Sequence, residues 1–96
     1  MKEIAKLTDI PEGTGLRVQA EGKEIALFRV GGQVYAIDPV CPHAGGPLEN
    51  GPIEGSVVIC PWHAWEFDVG EGKCLNTGEE ITRYSVEVRD GAVFLV

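Results

Sequence analysis

Two short loops in this chain each carry one cysteine and one histidine. The first reads Cys41-Pro-His43 and the second reads Cys60-Pro-Trp-His63, with 16 residues between them. The sequence contains no other histidine. Two thiols and two imidazoles on two loops are the donor set of a metal site, and a shared metal would fix the loops against each other. The spacing therefore predicts a metal site with Cys41, His43, Cys60 and His63 as its ligands.

Two other uses of these residues have to be weighed. Zinc is often held by two cysteines and two histidines, but its loops usually pair like with like, whereas each loop here mixes the two types. A cysteine–histidine nucleophile pair would use one loop and leave the other without a role. Structural zinc and a nucleophile pair therefore stand as the alternatives to a site that needs both loops.

The remainder of the chain has the pattern of an all-β protein. Short runs that are apolar or alternate with period two predict strands at 16–20, 23–30, 33–37, 56–59, 66–69, 73–75, 84–89 and 92–96. Glu21-Gly22, Gly31-Gly32 and Asp90-Gly91 separate them as hairpin turns. The segment 38–55 contains four prolines and four glycines and lacks strand character, which is typical of a functional loop. We expect an antiparallel sandwich or barrel.

The two loops resemble those of Rieske [2Fe–2S] proteins. The resemblance is carried by C-P-H-A-G-G-P-L-E-N-G at residues 41–51 and C-P-W-H-A-W-E-F-D at residues 60–68. It implies that two cysteines hold one iron of a [2Fe–2S] cluster and two histidines hold the other. It also implies the Rieske fold, a β-sandwich or barrel base with a small cluster-binding β subdomain. On this basis we expect a single domain of residues 1–96, with the subdomain at about 40–75.

Within the Rieske resemblance, three positions separate this chain from the high-potential proteins of respiratory complexes. Those proteins carry a disulfide between the loops and a serine that donates to a cluster sulfide. Gly46 and Trp62 occupy the two cysteine positions, and Trp65 occupies the serine position. Fewer donors to sulfur favour the oxidised cluster. The chain is therefore similar to the low-potential group, which comprises oxygenase ferredoxins and nitrite reductase small subunits. Separately, the segment 75–80 lacks the proline that many Rieske proteins carry in a third loop covering the cluster.

The resemblance implies an electron carrier and not an enzyme. A Rieske oxygenase needs a further catalytic domain with a mononuclear iron, and both histidines here are already used. We expect a carrier that takes single electrons from a flavoprotein reductase to a terminal oxygenase. The alternative is an accessory small subunit of an NAD(P)H-dependent nitrite reductase-like complex.

The net charge of −7 lies wholly between Asp38 and Glu80, which hold eight acids and one base. This charge disfavours nucleic acid and predicts partners with basic patches, although it is also what a solvated acidic face would show. No apolar run approaches 18 residues and the N-terminus lacks a signal-like stretch, so we expect a cytoplasmic protein without a membrane span. We expect Cys74 to be a small buried hydrophobe rather than a redox thiol. Trp62 is a candidate docking residue, and Trp65 and Phe67 are expected to pack.

Overall fold

The computed structural model describes residues 2–40, 47–62 and 64–96. Within them the chain forms two 3-10 helices, Leu7–Asp9 and Leu48–Asn50, and eleven strands. The strands are β1 Lys2–Lys6, β2 Gly15–Ala20, β3 Lys23–Val30, β4 Gln33–Ile37, β5 Ile53–Glu54, β6 Val57–Ile59, β7 Glu66–Asp68, β8 Lys73–Cys74, β9 Arg83–Tyr84, β10 Val86–Arg89 and β11 Ala92–Leu95. The predicted all-β class is confirmed.

The strands form three antiparallel sheets. Two of them, ordered β1-β11-β10 and β2-β3-β4-β9, make up what we call the base. The third, ordered β5-β6-β7-β8, lies between β4 and β9 in the sequence, and we call it the small sheet. Because Ile37 pairs with Arg83, the chain leaves the base sheet at the end of β4 and re-enters it at β9. The small sheet is thus inserted into the base through two adjacent strands.

Strand β3 separates two apolar cores. Successive residues of a strand point to opposite faces, and four consecutive residues here are fully buried. Ile25 and Leu27 belong to a core shared with the sheet β1-β11-β10, which also contains Ile10 and Val93. Ala26 and Phe28 join a second core that includes Val58, Phe67 and Cys74 of the small sheet. A strand buried on both faces explains why its sequence is a continuous apolar run.

The three predicted hairpin turns are confirmed, since both central residues of each have positive φ. The sequence pattern missed β1 and β5. It also predicted one strand over 84–89, whereas the structure has two. Tyr84 pairs with β4 in one sheet and Val86 pairs with β11 in another, so the chain changes sheets at Ser85. In the part of the chain that the structure describes, no helix is long and apolar enough to cross a membrane.

Candidate metal centre

The second ligand loop closes the hairpin between β6 and β7. Cys60 directly follows β6, and its side chain is free and 1% exposed. Its N–H donates to the Trp65 carbonyl oxygen at 2.7 Å, and its carbonyl oxygen accepts the Ala64 N–H at 2.9 Å. Ala64 has a φ of +62°, which non-glycine residues adopt only in tight turns. The loop is therefore pinned at both ends.

The first ligand loop is closed by its own stem. Val40 and Pro47 form an isolated antiparallel bridge, and the Leu48 N–H donates to the Pro39 carbonyl oxygen at 2.8 Å. Pro39 and Leu48 are fully buried, so the stem is anchored in the core. The predicted ligands Cys41 and His43 lie outside the described residues; in the sequence they fall between Val40 and Pro47.

The two ligand loops are joined to each other. The Ile59 N–H donates to the Pro52 carbonyl oxygen at 2.9 Å, which ties the end of the first loop region to the residue before Cys60. Gly51 packs so closely against Ile59 that an added Cβ would overlap the Ile59 carbonyl oxygen. Glycine is required here for close approach, because its φ of −77° is open to any residue.

An ion pair connects the first loop to the base. Arg17 on β2 donates from Nε to Glu49 Oε2 at 3.0 Å and from Nη2 to Glu49 Oε1 at 3.2 Å. Glu49 lies in the Leu48–Asn50 helix, directly after the stem. The hydrogen bond to Glu49 raises the pKa of Arg17, so the guanidinium stays charged. Glu49 is one of the eight acids between Asp38 and Glu80, and its partnership with Arg17 has no local signal in the sequence because the two residues are 32 positions apart.

The third loop, residues 75–80, is held by β7 without a proline. The Leu75 N–H donates to the Glu66 carbonyl oxygen at 2.8 Å, and the Glu66 N–H donates to Asn76 Oδ1 at 2.8 Å. The Gly78 N–H donates to the Cys74 carbonyl oxygen at 2.8 Å. These bonds place the turn beside the start of β7, next to Trp65.

The side chains around the loops divide into a buried set and an exposed set. Phe67 and Cys74 are fully buried in the second core, and Trp65 packs against that core. The predicted packing of Cys74, Trp65 and Phe67 is therefore confirmed. Trp62 is 63% exposed, and Val40 and Leu75 are exposed by 41% and 49%. These three exposed apolar residues, one on each of three loops, form what we call the apolar rim.

Two exposed acids, Glu66 and Glu71, lie near opposite ends of β7. Glu66 is exposed at the start of β7 and pairs with Ile59, next to Cys60. Glu71 is exposed in the turn after β7, beyond Asp68. At about 3.3 Å per strand residue, this turn is about 10 Å further from Cys60. The sequence shows that the segment is negatively charged, but it does not show that Glu66 lies closer to Cys60 than Glu71 does.

Of the four predicted ligands, the structure describes Cys60, while Cys41, His43 and His63 lie outside the described residues. No group of three or more histidine, cysteine or acidic residues comes together within the described ranges. What is described fits the cluster. The free, buried thiol of Cys60 directly follows β6. The last residue of β6, Ile59, is hydrogen-bonded to Pro52, which follows the first loop. Thiolate ligation in a dry, apolar surrounding suits an iron–sulfur cluster.

Comparison with known proteins identifies the family. The Rieske [2Fe-2S] domain family matches residues 1–86. The ferredoxin component of the naphthalene 1,2-dioxygenase/salicylate 5-hydroxylase systems of Ralstonia sp. is 41% identical over 95 residues, covering 97% of this chain and 91% of the relative. This relative is, by its description, the ferredoxin component of oxygenase systems.

Two solved structures share the fold closely. A ferredoxin from a complex of reduced oxygenase and oxidised ferredoxin in carbazole 1,9a-dioxygenase is 31% identical, with a TM-score of 0.87 over 97% of this chain and 89% of the other. A protein described as a nitrite reductase NADPH small subunit is 26% identical, with a TM-score of 0.87 over 98% and 95%. Together with the buried Cys60 loop, these matches show that the chain belongs to the Rieske [2Fe–2S] family, as a ferredoxin-type electron carrier with one [2Fe–2S] cluster.

Proposed function

We propose that this protein carries single electrons from a flavoprotein reductase to a terminal oxygenase, through a cluster held by Cys41, His43, Cys60 and His63. The observation that carries the proposal is the buried, free Cys60 at the end of β6, in a chain 41% identical to an oxygenase ferredoxin component. We place the protein in the cytoplasm, as one domain of residues 1–96. The small sheet, residues 53–74, supports a cluster-binding subdomain at about 40–75.

The cluster supplies one-electron chemistry, and the protein supplies its surroundings. Phe67, Val58 and Leu48 are fully buried and keep water from the inner side of the loops. Exclusion of water and the hydrogen bonds to sulfur set the potential of such a site. Trp65 stands where high-potential relatives carry a hydroxyl donor, so we place the potential at the low end of the Rieske range, near about −150 mV. Protein-film voltammetry measures it directly.

The exposed residues of the apolar rim, together with Glu66, are candidates for contact with a redox partner. Trp62 precedes His63 in the sequence and Val40 precedes Cys41, so exposed apolar groups flank both predicted ligand pairs. Electron-transfer complexes are small and brief, and long-range attraction speeds their encounter. A partner with a basic patch around an apolar centre would fit this end of the molecule, where Glu66 is exposed.

The experiment that tests the proposal measures electron transfer from a flavoprotein reductase, and onward to a Rieske oxygenase, at limiting carrier concentration. Glu66→Lys and Glu71→Lys make the same charge change on two exposed residues, one beside Cys60 and one at the far end of β7. At 0.1 M salt the Debye length is about 10 Å. We therefore expect Glu66→Lys to slow transfer by about fivefold and Glu71→Lys by less than about twofold. Equal effects of the two substitutions on the transfer rate, or a rate that does not depend on salt concentration, would contradict the proposal that the partners present basic patches.

The alternative role, an accessory subunit of a nitrite reductase-like complex, rests on the fold shared with the small-subunit structure. The sequence identity to that structure is 26%, against 41% to the oxygenase ferredoxin component. The carrier role is therefore favoured. Permanent association with a large catalytic subunit on purification would reverse this preference.

A further inference from the structure

We propose that Arg17, on strand β2 of the base, is a positioning residue for the cluster site, and that it acts by holding Glu49. This inference rests on the proposed function, because it takes the loop ending at Pro47 as a ligand loop. Glu49 follows that loop, and its carboxylate accepts two hydrogen bonds from Arg17, at 3.0 and 3.2 Å. Two parallel bonds from a planar guanidinium fix the position of a carboxylate more strictly than a single contact.

The surroundings of this pair differ from those of a surface ion pair. The side chains of Arg17 and Glu49 are 34% and 11% exposed. The backbones are also in close contact, since a Cβ added at Gly15 would lie 2.7 Å from the Glu49 carbonyl oxygen. By contrast, Arg89 and Glu87 form a pair of similar length, 3.1 Å, with side chains 59% and 42% exposed. Arg89 is therefore a matched control for Arg17.

A short series of contacts leads from Glu49 to both ligand loops. The preceding residue, Leu48, is fully buried and binds the Pro39 carbonyl oxygen across the stem of the first loop. Two residues after Glu49, Gly51 packs against the carbonyl group of Ile59. Ile59 in turn precedes Cys60. A shift of Glu49 would therefore reach the first loop through Leu48 and the second loop through Gly51.

Removing Arg17 leaves Glu49, whose side chain is 11% exposed, without its counter-charge, whereas removing Glu49 leaves Arg17 with only the more exposed Glu24, at 3.6 Å. Such a loss costs more than the loss of an exposed pair, because the remaining charge must regain water. The 3-10 helix around Glu49 is three residues long and has little stability of its own. We therefore expect the helix to move when the pair is broken, and both ligand loops to loosen with it.

The rate of cluster release, compared with the midpoint potential, distinguishes a positioning role of the pair from an effect of its charges alone. Arg17→Met removes a positive charge near the site and should lower the midpoint potential. Glu49→Gln removes a negative charge and should raise it. If the pair positions the loops, both variants must release the cluster faster even though they shift the potential in opposite directions. A charge effect alone predicts opposite changes in both quantities.

The test uses the purified holoprotein. The half-life of the visible absorbance is followed in the presence of an iron chelator, with the potential measured by voltammetry and global unfolding measured in urea. Arg17→Met and Glu49→Gln should each shorten the half-life by about tenfold, the double variant should be no faster than either single one, and Arg89→Met should change it by less than about twofold.

The outcomes are distinguishable. A wild-type protein without an iron–sulfur spectrum overturns the proposed function and this inference together. A normal wild-type spectrum with Arg17→Met equal to Arg89→Met overturns the inference alone. So do independent, multiplying effects of the two single changes, or release that accelerates only as far as global unfolding does. Release that exceeds the change in global unfolding, with the potential shifts of opposite sign, supports it.

Discussion

Gly51 and Ile59 are in direct backbone contact, so that a Cβ on Gly51 would overlap the carbonyl oxygen of Ile59. Gly51 follows the first ligand loop and Ile59 precedes Cys60 of the second. The contact holds the segments next to the two loops close together, as a cluster shared by both loops requires. The glycine at this position is thus a requirement of the site and not of the local backbone, since its φ is −77°.

Gly51→Ala should therefore destabilise the protein by at least about 2 kcal/mol and cause loss of the cluster, because the Ile59 backbone has to move. Gly55→Ala is the control. Gly55 has a φ of +59° with open space around its Cβ position, so an alanine there costs about 1 kcal/mol of backbone strain alone. Urea unfolding and visible absorbance measure both effects. Equal costs, with the cluster retained in Gly51→Ala, would show that the loops tolerate a wider spacing.

Ala64 adopts a left-handed conformation between His63 and Trp65, with its N–H bound to the Cys60 carbonyl oxygen. Ala64→Gly should stabilise the holoprotein by about 0.5–1 kcal/mol, because glycine enters this region without a Cβ clash but loses more chain entropy on folding. Ala64→Val should destabilise it, because a β-branched residue is a clear outlier there. Denaturant unfolding checks both variants. A destabilised Ala64→Gly would mean that the methyl group makes contacts worth more than the strain.

Cys60 and Cys74 are both free and buried, yet only Cys60 lies on a ligand loop. Cys74→Ala should keep the cluster and cost about 1 kcal/mol of stability, since it removes a small buried side chain. Cys60→Ala should abolish the cluster. Iron and acid-labile sulfide content distinguish the two variants. Loss of the cluster in Cys74→Ala would give this residue a role beyond packing.

We predict a pH-dependent contribution of Glu12 to stability, through the turn between β3 and β4. Its carboxylate accepts the N–H groups of Gly32 at 2.9 Å and Gly31 at 2.7 Å, and these bonds lower its pKa from the ordinary 4.5. A carboxyl group with a lowered folded-state pKa stabilises the protein above its ordinary pKa and loses that effect as the pH falls through the folded-state value. Glu12→Gln should therefore be less stable than the wild type near neutrality, with a gap that begins to narrow below about pH 4.5 and closes as the pH falls through the lowered folded-state pKa. A gap that stays constant down to pH 3 would mean that the carboxylate charge has no part in holding the turn.

The sequence predicted those parts of the fold that depend on local signals. The dipeptides Glu21-Gly22, Gly31-Gly32 and Asp90-Gly91 predicted three hairpins, because glycine readily adopts the positive φ that these turns require. β1 was not predicted because no hairpin turn joins it to a neighbouring strand in the sequence. It pairs with β11 at the opposite end of the chain and has an irregular register between Glu3 and Ala5. β5 has only two residues, which is too short for any periodicity to appear.

The ligand types of the site could be predicted from the sequence, but the contacts that hold the ligand loops in place could not. Loops that carry Cys60 and its neighbours could be found from residue types and spacing alone. The partnership of Arg17 with Glu49 could not, because the two residues are 32 positions apart and each is ordinary for a surface strand or turn. The close approach of Gly51 to Ile59 likewise depends on how two segments pack, and a glycine in a proline-rich loop gives no sign of it.

The central claim is that two cysteines and two histidines hold the cluster, and histidine labelling tests it most directly. The chain contains two histidines, so ¹⁵N-histidine labels only His43 and His63. Electron–nuclear double resonance on the reduced protein should then show two strong ¹⁵N couplings to the cluster, as expected for two imidazoles bound to the reducible iron. An iron–sulfur spectrum without ¹⁵N coupling, or a colourless protein with one zinc, would contradict the account.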